Sequence, residues 1–406
     1  MVTPQRGKRM ADEPIAGSPD NEAVRAPYRL VVWGTGGMGR VALSTVATRK
    51  DFEIIGARVY SADKDGIDVG ALAGLAPVGV RATADPDAAL DVDADWVLHL
   101  ARDFGRYDSV DELVAILRAG RNVITVHPFQ FDHAMDAMSC PPDTMSRIAA
   151  ACQEGASTFH STGIHPEMVA ARLVGTLTGL STNITSIKFS ENWDVRDRDA
   201  KTLSVMGYGR DPAELEAASA GIAKFTDNYC LQSLYGLSRL LGVEPARSES
   251  EHAYAPAPVD LSFRDMQIAA GSVARITRRS LGFRDHHDGE AFIVAEVNWM
   301  VGRDEMVPAG MPSEHHYFAV VEGTPSLSLG LGIKASMARD QRLMDPTDPS
   351  SDPGYWATIA TVLQAVPRVC DAPPGILGPV VPDLHWVPDF RELSAASPLN
   401  CVAVPL

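Results

Sequence analysis

Leu30-Val31-Val32-Trp33-Gly34-Thr35-Gly36-Gly37-Met38-Gly39 is the stretch that decides the fold. A short apolar run rich in β-branched residues reads as a buried parallel strand, and a glycine ends it. The G-x-G-x-x-G that follows opens directly into a helical pattern over about 37–48, with Met38, Val41, Ala42 and Val46 on one side. A lone glycine motif says little; strand, turn and helix in this order give each glycine a task. Gly34 permits the tight turn, Gly36 lets backbone approach a pyrophosphate, and Gly39 lets the helix pack close to the strand. The helix N-terminus then offers unpaired N–H groups and a positive dipole end to phosphates.

Outward from this turn, strands at about 52–60, 96–100 and 122–126 and a short one at 157–160 alternate with helices. Ser109-Val110-Asp111-Glu112 reads as a capping box opening one helix, with Ser109 as cap and Glu112 reaching back. Another helix is expected over about 142–154. Such alternation means βαβ units and a parallel sheet. After about 185 the pattern becomes strand-rich, at 187–191, 292–300, 316–321 and 326–333, with few helices between. Leu327, Leu329, Leu331 and Ile333 alternate as on a half-buried antiparallel strand. A last helix starts at Asp352-Pro353, with Trp356, Ile359, Val362, Leu363, Val366 and Val369 on one face. The expected fold is an α/β Rossmann domain with a parallel sheet plus an α+β, sheet-rich second domain. Its divisions are a disordered tail at 1–27, the Rossmann domain at 28–160, the substrate and dimerisation domain at 161–350, a C-terminal helix at 351–380 and a tail at 381–406.

The 406 residues carry a net charge of −16, and 45% are hydrophobic. An acidic chain disfavours nucleic acid and anionic membrane surfaces as partners. Five scattered cysteines without a C-x-x-C read as reduced thiols, and no apolar run approaches the roughly 18 residues of a membrane helix. A cytoplasmic protein with a small-molecule substrate is expected, and the sheet-rich domain suggests a homodimer.

An acid at the end of the second strand would hold a ribose 2′-hydroxyl. That strand ends Arg58-Val59-Tyr60-Ser61, with no acid until Asp63. Arg58, Ser61 and Lys64 suit a 2′-phosphate, so NADP(H) is favoured over NAD(H); the competing reading leaves Arg58 and Lys64 merely solvated. The expected cofactor set is Gly34, Thr35, Gly36, Gly37, Met38, Gly39, Arg58, Ser61 and Lys64, with Leu100 and Ala101 beyond the third strand.

The glycine stretch, then 69–74 (VGALAG), 121–125 (RNVIT), 161–166 (STGIHP), 205–209 (VMGYG), 365–367 (AVP) and 372–375 (APPG), resembles the dihydrodipicolinate reductase-like superfamily. Within it, the chain is similar to NAD(P)H-dependent amine dehydrogenases related to 2,4-diaminopentanoate dehydrogenase, over about residues 28–380. The resemblance implies a C-terminal helix returning to the first domain. It also implies hydride transfer between nicotinamide and a carbon bearing nitrogen or oxygen. The glutamate that such amine dehydrogenases carry after the fourth strand is replaced here by Pro128 in Val126-His127-Pro128-Phe129. The His-His and Lys signature of dihydrodipicolinate reductases is absent from 191–201 (ENWDVRDRDAK), which argues against the lysine-pathway reaction.

Groups for proton transfer belong beyond the C-terminal strand ends. His127 follows the fourth strand, where an ordinary histidine titrates near neutrality, or it bonds a loop carbonyl structurally. Asp103 follows the third strand with Arg102; it stands in for the missing carboxylate or forms a loop ion pair. Glu191, with Trp193 and Asp194, ends the first strand of the second domain, placed to close over substrate. His160 and His165 flank Gly163, placed either to face the nicotinamide end or, for His165, to sit at a helix cap, which is read first. His286-His287-Asp288 and His315-His316 lack ligand spacing, so no metal site is expected.

Overall fold

The computed structural model describes residues 26–379 apart from 102, 104–106, 108, 128, 130–140, 197, 199, 219–222, 264–265, 286–288, 303–305, 309–315 and 335–351. The expected tails at 1–27 and 381–406 lie outside these residues, save 26 and 27. Arg102, Pro128, His286, His287, Asp288 and His315 also lie outside them.

The first sheet contains β1 (Tyr28–Trp33), β2 (Phe52–Arg58), β3 (Trp96–His99), β4 (Asn122–Thr125) and β5 (Thr158–Ser161). A late strand, β14 (Gly375–Leu377), pairs beside β5, so the order is β14-β5-β4-β3-β1-β2, with every pairing parallel. Both faces are buried, which is why Leu30–Trp33 of β1 and Trp96–Leu98 of β3 form apolar runs. On one face Val31, Trp33, Val97 and Val123 pack against α2 (Ser109–Arg118) and α3 (Thr144–Gly155). On the other, Leu30, Val32, Leu98 and Ile124 pack against α1 (Gly37–Val46) and the far end of the chain. Strand order reverses between β1 and β3, which opens the crevice where ligands bind in such sheets.

The second sheet has order β13-β12-β6-β11-β10-β7, made of β6 (Thr182–Asp194), β7 (Arg247–Pro256), β10 (Val273–Phe283), β11 (Ile293–Met300), β12 (Tyr317–Thr324) and β13 (Leu327–Leu331). The hairpin β8 (Leu261–Phe263) and β9 (Met266–Ile268) stands apart from it. β6 runs parallel to β11 and antiparallel to β12. β13 alternates half-buried and exposed residues, as its leucine spacing predicts. Between the sheets runs a π-wound helix, α4 (Ile164–Val174), and α5 (Ala223–Leu240) covers one face of the second sheet. α5 is not foreseen in the sequence.

The chain closes with α6 (Pro353–Asp371), where the Asp352 carboxylate accepts the Gly354 amide at 2.7 Å, and with β14 (Gly375–Leu377). Ile359, Val362, Leu363, Val366 and Val369 pack on the first sheet. Trp356 departs from the expected face; it is 43% exposed, and Tyr355 turns inward in its place. The fold is therefore a Rossmann-type parallel sheet joined to a sheet-rich α+β unit, with the last helix and strand returned to the first sheet.

Candidate active site

At the end of β1, Gly34 adopts φ +106°, and a Cβ there would lie 3.0 Å from the Leu100 carbonyl carbon and oxygen. Gly39 is tighter still: its Cβ would meet the Gly34 carbonyl oxygen at 2.1 Å. Gly36 differs from both, because its Cβ would meet nothing within 4 Å. Two glycines are thus required by the fold and the third opens onto empty space. No side chain caps α1, so its first amides remain available to a ligand. This cradle suits a dinucleotide pyrophosphate.

At the end of β2, the Arg58 guanidinium lies 4.7 Å from the Tyr60 ring and 5.9 Å from the Trp33 ring. Its Nε and Nη1 are buried and lack hydrogen-bond partners. Lys64 donates to the Thr35 carbonyl at 3.3 Å, beside the glycine turn. Ser61 precedes the short turn Ala62–Lys64 and is exposed. All the expected cofactor-binding residues thus gather at one end of the sheet.

Glu112 corrects the capping-box reading. The Ser109 amide and hydroxyl both donate to Asp103 Oδ2, at 3.2 and 2.6 Å. Glu112 turns instead to the strand ends, where Oε2 accepts Tyr60 OH at 2.6 Å, His99 Nε2 at 3.2 Å and Trp33 Nε1 at 3.3 Å. Burial would raise its carboxyl, yet the His99 and Tyr60 hydrogen bonds hold it below the usual range.

Asp103 also accepts the Tyr107 amide at 3.1 Å, so its carboxylate shapes the loop that opens α2. Burial opposes its charge, but the Ser109 bonds and then His127 and Tyr107 keep its carboxyl below the ordinary range. His127 corrects the expectation of a near-neutral imidazole. Burial first, and His99 second, lower it to about 4 against the opposing pull of Asp103. Its ring lies 5.6 Å from that of His99 and 6.0 Å from that of Phe129, and Nε2 lacks a partner.

Buried neutral histidine has a consequence for stability. An unfolded histidine protonates near 6.5, whereas the folded one resists until about 4. Its contribution, about 3 kcal/mol, is complete above pH 6.5 and is lost progressively as pH falls to 4. Replacing His127 with phenylalanine is expected to flatten denaturant-measured stability between pH 6.5 and 4; an unchanged slope would refute this.

Glu191 gathers the second half of the site. Its Oε1 accepts Trp299 Nε1 at 2.7 Å, and Oε2 accepts His165 Nδ1 at 2.7 Å and Tyr317 OH at 3.2 Å. Burial raises its carboxyl, but His165 first and then Trp299 and Tyr317 outweigh burial and keep it ionised. His165 Nε2 lies 2.5 Å from Ser233 Oγ on α5, and the Ser233 hydroxyl also reaches the Tyr229 carbonyl at 2.8 Å. A hydrogen on Nδ1 faces the Glu191 carboxylate, and Nε2 faces the Ser233 hydroxyl.

The same helix ties the two halves together. Asn228 donates to Tyr107 OH at 2.9 Å, and Tyr107 lies 6.0 Å from Phe129, next to His127. His165 is buried and joins Glu191 to Ser233, partners 26 and 68 positions away, while the helix is capped at Gly163. His160 stays apart, with Nδ1 on the Leu377 carbonyl at 2.9 Å. His316 Nδ1 accepts the Ile333 amide at 3.0 Å. Among the described residues, no three His, Cys, Asp or Glu side chains converge to hold a metal ion, and no helix is long and apolar enough to cross a membrane.

The fold joins a parallel Rossmann-type sheet, with a glycine turn at its switch point, to a second, mixed sheet. Residues 28–126 match the family "Dihydrodipicolinate reductase, N-terminus". The chain is 30% identical over 173 residues to an amine dehydrogenase of Streptomyces virginiae, a match covering 42% of this chain and 47% of that relative, about half its length. The structure of an amine dehydrogenase from Mycobacterium smegmatis aligns with a TM-score of 0.66 at 21% identity, covering 89% of this chain and 98% of that one. Scyllo-inositol dehydrogenase from Lactobacillus casei, solved with NAD(H) and scyllo-inositol, aligns with a TM-score of 0.50 at 13% identity, covering 84% and 89%. The amine dehydrogenase-like resemblance read in the sequence holds.

Proposed function

We propose that the protein is an oxidoreductase that moves hydride between a nicotinamide dinucleotide, NADP(H) before NAD(H), and the C=N or C=O carbon of a small or medium organic substrate. The open cradle at Gly36, above the uncapped start of α1, carries this reading. The Streptomyces virginiae and Mycobacterium smegmatis relatives named as amine dehydrogenases support the carbon–nitrogen chemistry. The NAD(H) held by the Lactobacillus casei enzyme supports the cofactor class. When bound, the nicotinamide supplies or accepts the hydride.

The chain's residues divide the remaining work. Gly34 to Gly39 receive the pyrophosphate, and Leu100 and Ala101 border it. Arg58 and Lys64, with Ser61, face the adenosine ribose. His127 enters as a neutral wall of the site and Asp103 sets the adjoining loop. The ionised Glu191 favours a cationic iminium or ammonium, and His165 handles the proton through Nε2. A cytoplasmic homodimer completes the proposal, and sedimentation reads the oligomeric state.

Glu191 also favours the narrower reading of a true amine dehydrogenase whose carboxylate has moved from the fourth-strand loop to the second domain. That reading expects ammonia-dependent turnover which collapses in Glu191→Gln and survives in Asp103→Asn. Turnover indifferent to ammonia returns the assignment to carbonyl reduction.

Titration with NADPH and with NADH, followed by fluorescence, tests the cofactor. Arg58→Ala is expected to weaken NADPH about 10- to 100-fold and to leave NADH nearly unchanged. Equal losses for both would remove Arg58 from 2′-phosphate recognition, and binding of neither would overturn the oxidoreductase reading.

A further inference from the structure

We infer that Glu112 is a positioning residue that couples the adenosine end of the cofactor site to His127, through Tyr60 on one side and His99 on the other. The cofactor's part in this rests on the oxidoreductase reading above; the coupling of Tyr60 to His127 does not.

A chain of direct contacts joins the two ends. The Arg58 guanidinium lies 4.7 Å from the Tyr60 ring. Tyr60 OH donates to Glu112 Oε2 at 2.6 Å, and His99 Nε2 lies 3.2 Å from the same oxygen. The His99 and His127 rings are 5.6 Å apart. Tyr60 is 52% exposed and His99 is fully buried, so the chain leads from the surface to the interior ends of the strands.

Glu112 is its narrow point. Oε2 has two lone pairs and meets three donors, from Tyr60, from His99 and, at 3.3 Å, from Trp33 Nε1. The tyrosine bond is the shortest, and burial first and Glu112 next make that hydroxyl keep its hydrogen. A donor lost at Tyr60 therefore leaves more of the oxygen to His99. His99 Nδ1 has no partner, so among the described residues Glu112 alone bonds this imidazole. A change at Tyr60 is passed to His99 with no other hydrogen bond to absorb it.

His99 acts on His127 by charge, since two imidazoles this close resist carrying a proton each. His127 is faced by His99 from β3, by Asp103 from the following loop and by Glu112 from α2, and its ring bonds the Ala101 backbone. Burial first and His99 second oppose its protonation; Asp103, Ala101 and Glu112, in that order, favour it. Two opposite effects follow. Removing the Tyr60 hydroxyl tightens Glu112 on His99, keeps charge there and makes His127 harder to protonate. Removing the Glu112 charge takes the counter-ion from His99 and makes His127 easier to protonate, because the influence of His99 outranks that of Glu112. A 2′-phosphate seated at Arg58 reaches the tyrosine beside it, so occupancy of the adenosine end is registered at His127. By linkage, protonating His127 alters affinity at that end by the same factor.

NMR of carbon-13-labelled histidine rings, with His127 assigned by its absence in His127→Phe, tests the coupling. At pH 4.5 about a quarter of His127 is protonated in the wild type, given half-protonation at about 4. That fraction is expected to rise about twofold in Glu112→Gln and to fall about twofold in Tyr60→Phe. A role in packing alone would loosen the site in both variants and raise the fraction in both. Shifts of like sign, or none, overturn the inference. Adenosine 2′,5′-bisphosphate is the second probe. At saturation it is expected to move the His127 resonances in the wild type but not in Glu112→Gln. Should the variants not fold, the response of the wild type to the bisphosphate decides alone. Bisphosphate bound with His127 unmoved sinks this inference alone. Opposite shifts in the two variants, with neither the bisphosphate nor NADPH bound, keep the coupling and sink the oxidoreductase reading.

Discussion

Gly36→Asp is expected to leave the melting temperature of the ligand-free protein within about 2 °C and to weaken NADPH binding by at least about 100-fold, some 2.7 kcal/mol. The two halves of this expectation have separate causes. The backbone at Gly36 has φ −70°, which any residue adopts, and a Cβ there meets nothing within 4 Å. Folding is therefore indifferent to the side chain. A phosphate brought to the amides of α1 would meet a second negative charge in the one place built to be empty. Gly39→Ala provides the contrast. Its methyl would sit 2.1 Å from the Gly34 carbonyl oxygen, so the turn must break or α1 must move. A lower melting temperature in Gly39→Ala, but not in Gly36→Asp, separates packing from ligand binding. Undiminished NADPH affinity in Gly36→Asp would show that the cradle holds something else.

Glu191→Gln is expected to reduce kcat/KM by about 100- to 1,000-fold while leaving cofactor affinity intact. The glutamine keeps the shape but not the charge. One of its terminal atoms becomes a donor facing Trp299 or the His165–Tyr317 side, and a mismatch of that kind costs about 1–3 kcal/mol. The loss in melting temperature should be moderate and the loss in rate large. Glu191→Ala should cost more stability, since it strands three donors. The sign of the pH effect follows from the lowered carboxyl. Its stabilisation is complete above the ordinary carboxylate value and is lost as pH falls through the lower folded value. Glu191→Gln removes that contribution from the acid-unfolding profile. A rate within a factor of a few of wild type would place the proton chemistry elsewhere.

How far each part could be read depends on how far apart its pieces lie in the chain. The glycine turn is a local device, with strand, turn and helix within 20 residues, and it was legible in full. So were β1, β3 and β4, whose buried centres leave the short apolar runs Leu30–Trp33, Trp96–Leu98 and Val123–Ile124. Glu112 shows local reading failing. The spacing Ser-x-x-Glu satisfies a capping box, but three donors from three strand ends outbid one backbone amide. No window of sequence contains that competition. α5 escaped for a related reason: Asn228, Gln232 and Ser233 are buried polar residues that interrupt its apolar stripe. The His165–Glu191–Ser233 set is joined only by the folded second domain. In the sequence His165 reads first as a cap and Glu191 as a strand end, and nothing marks Ser233.

The return of α6 and β14 to the first sheet bears on the order in which the protein is made. Residues 28–161 leave the ribosome well before residues 353–377, so the apolar side of β1, β3 and α1 stays uncovered until Ile359 to Val369 emerge. The edge of β5 likewise waits for Gly375–Leu377. Nearly the whole chain must be synthesised before the nucleotide fold can close. A chain ending before residue 353 therefore carries the complete glycine motif within an unfinished sheet, with a sticky surface for chaperones to hold and proteases to find.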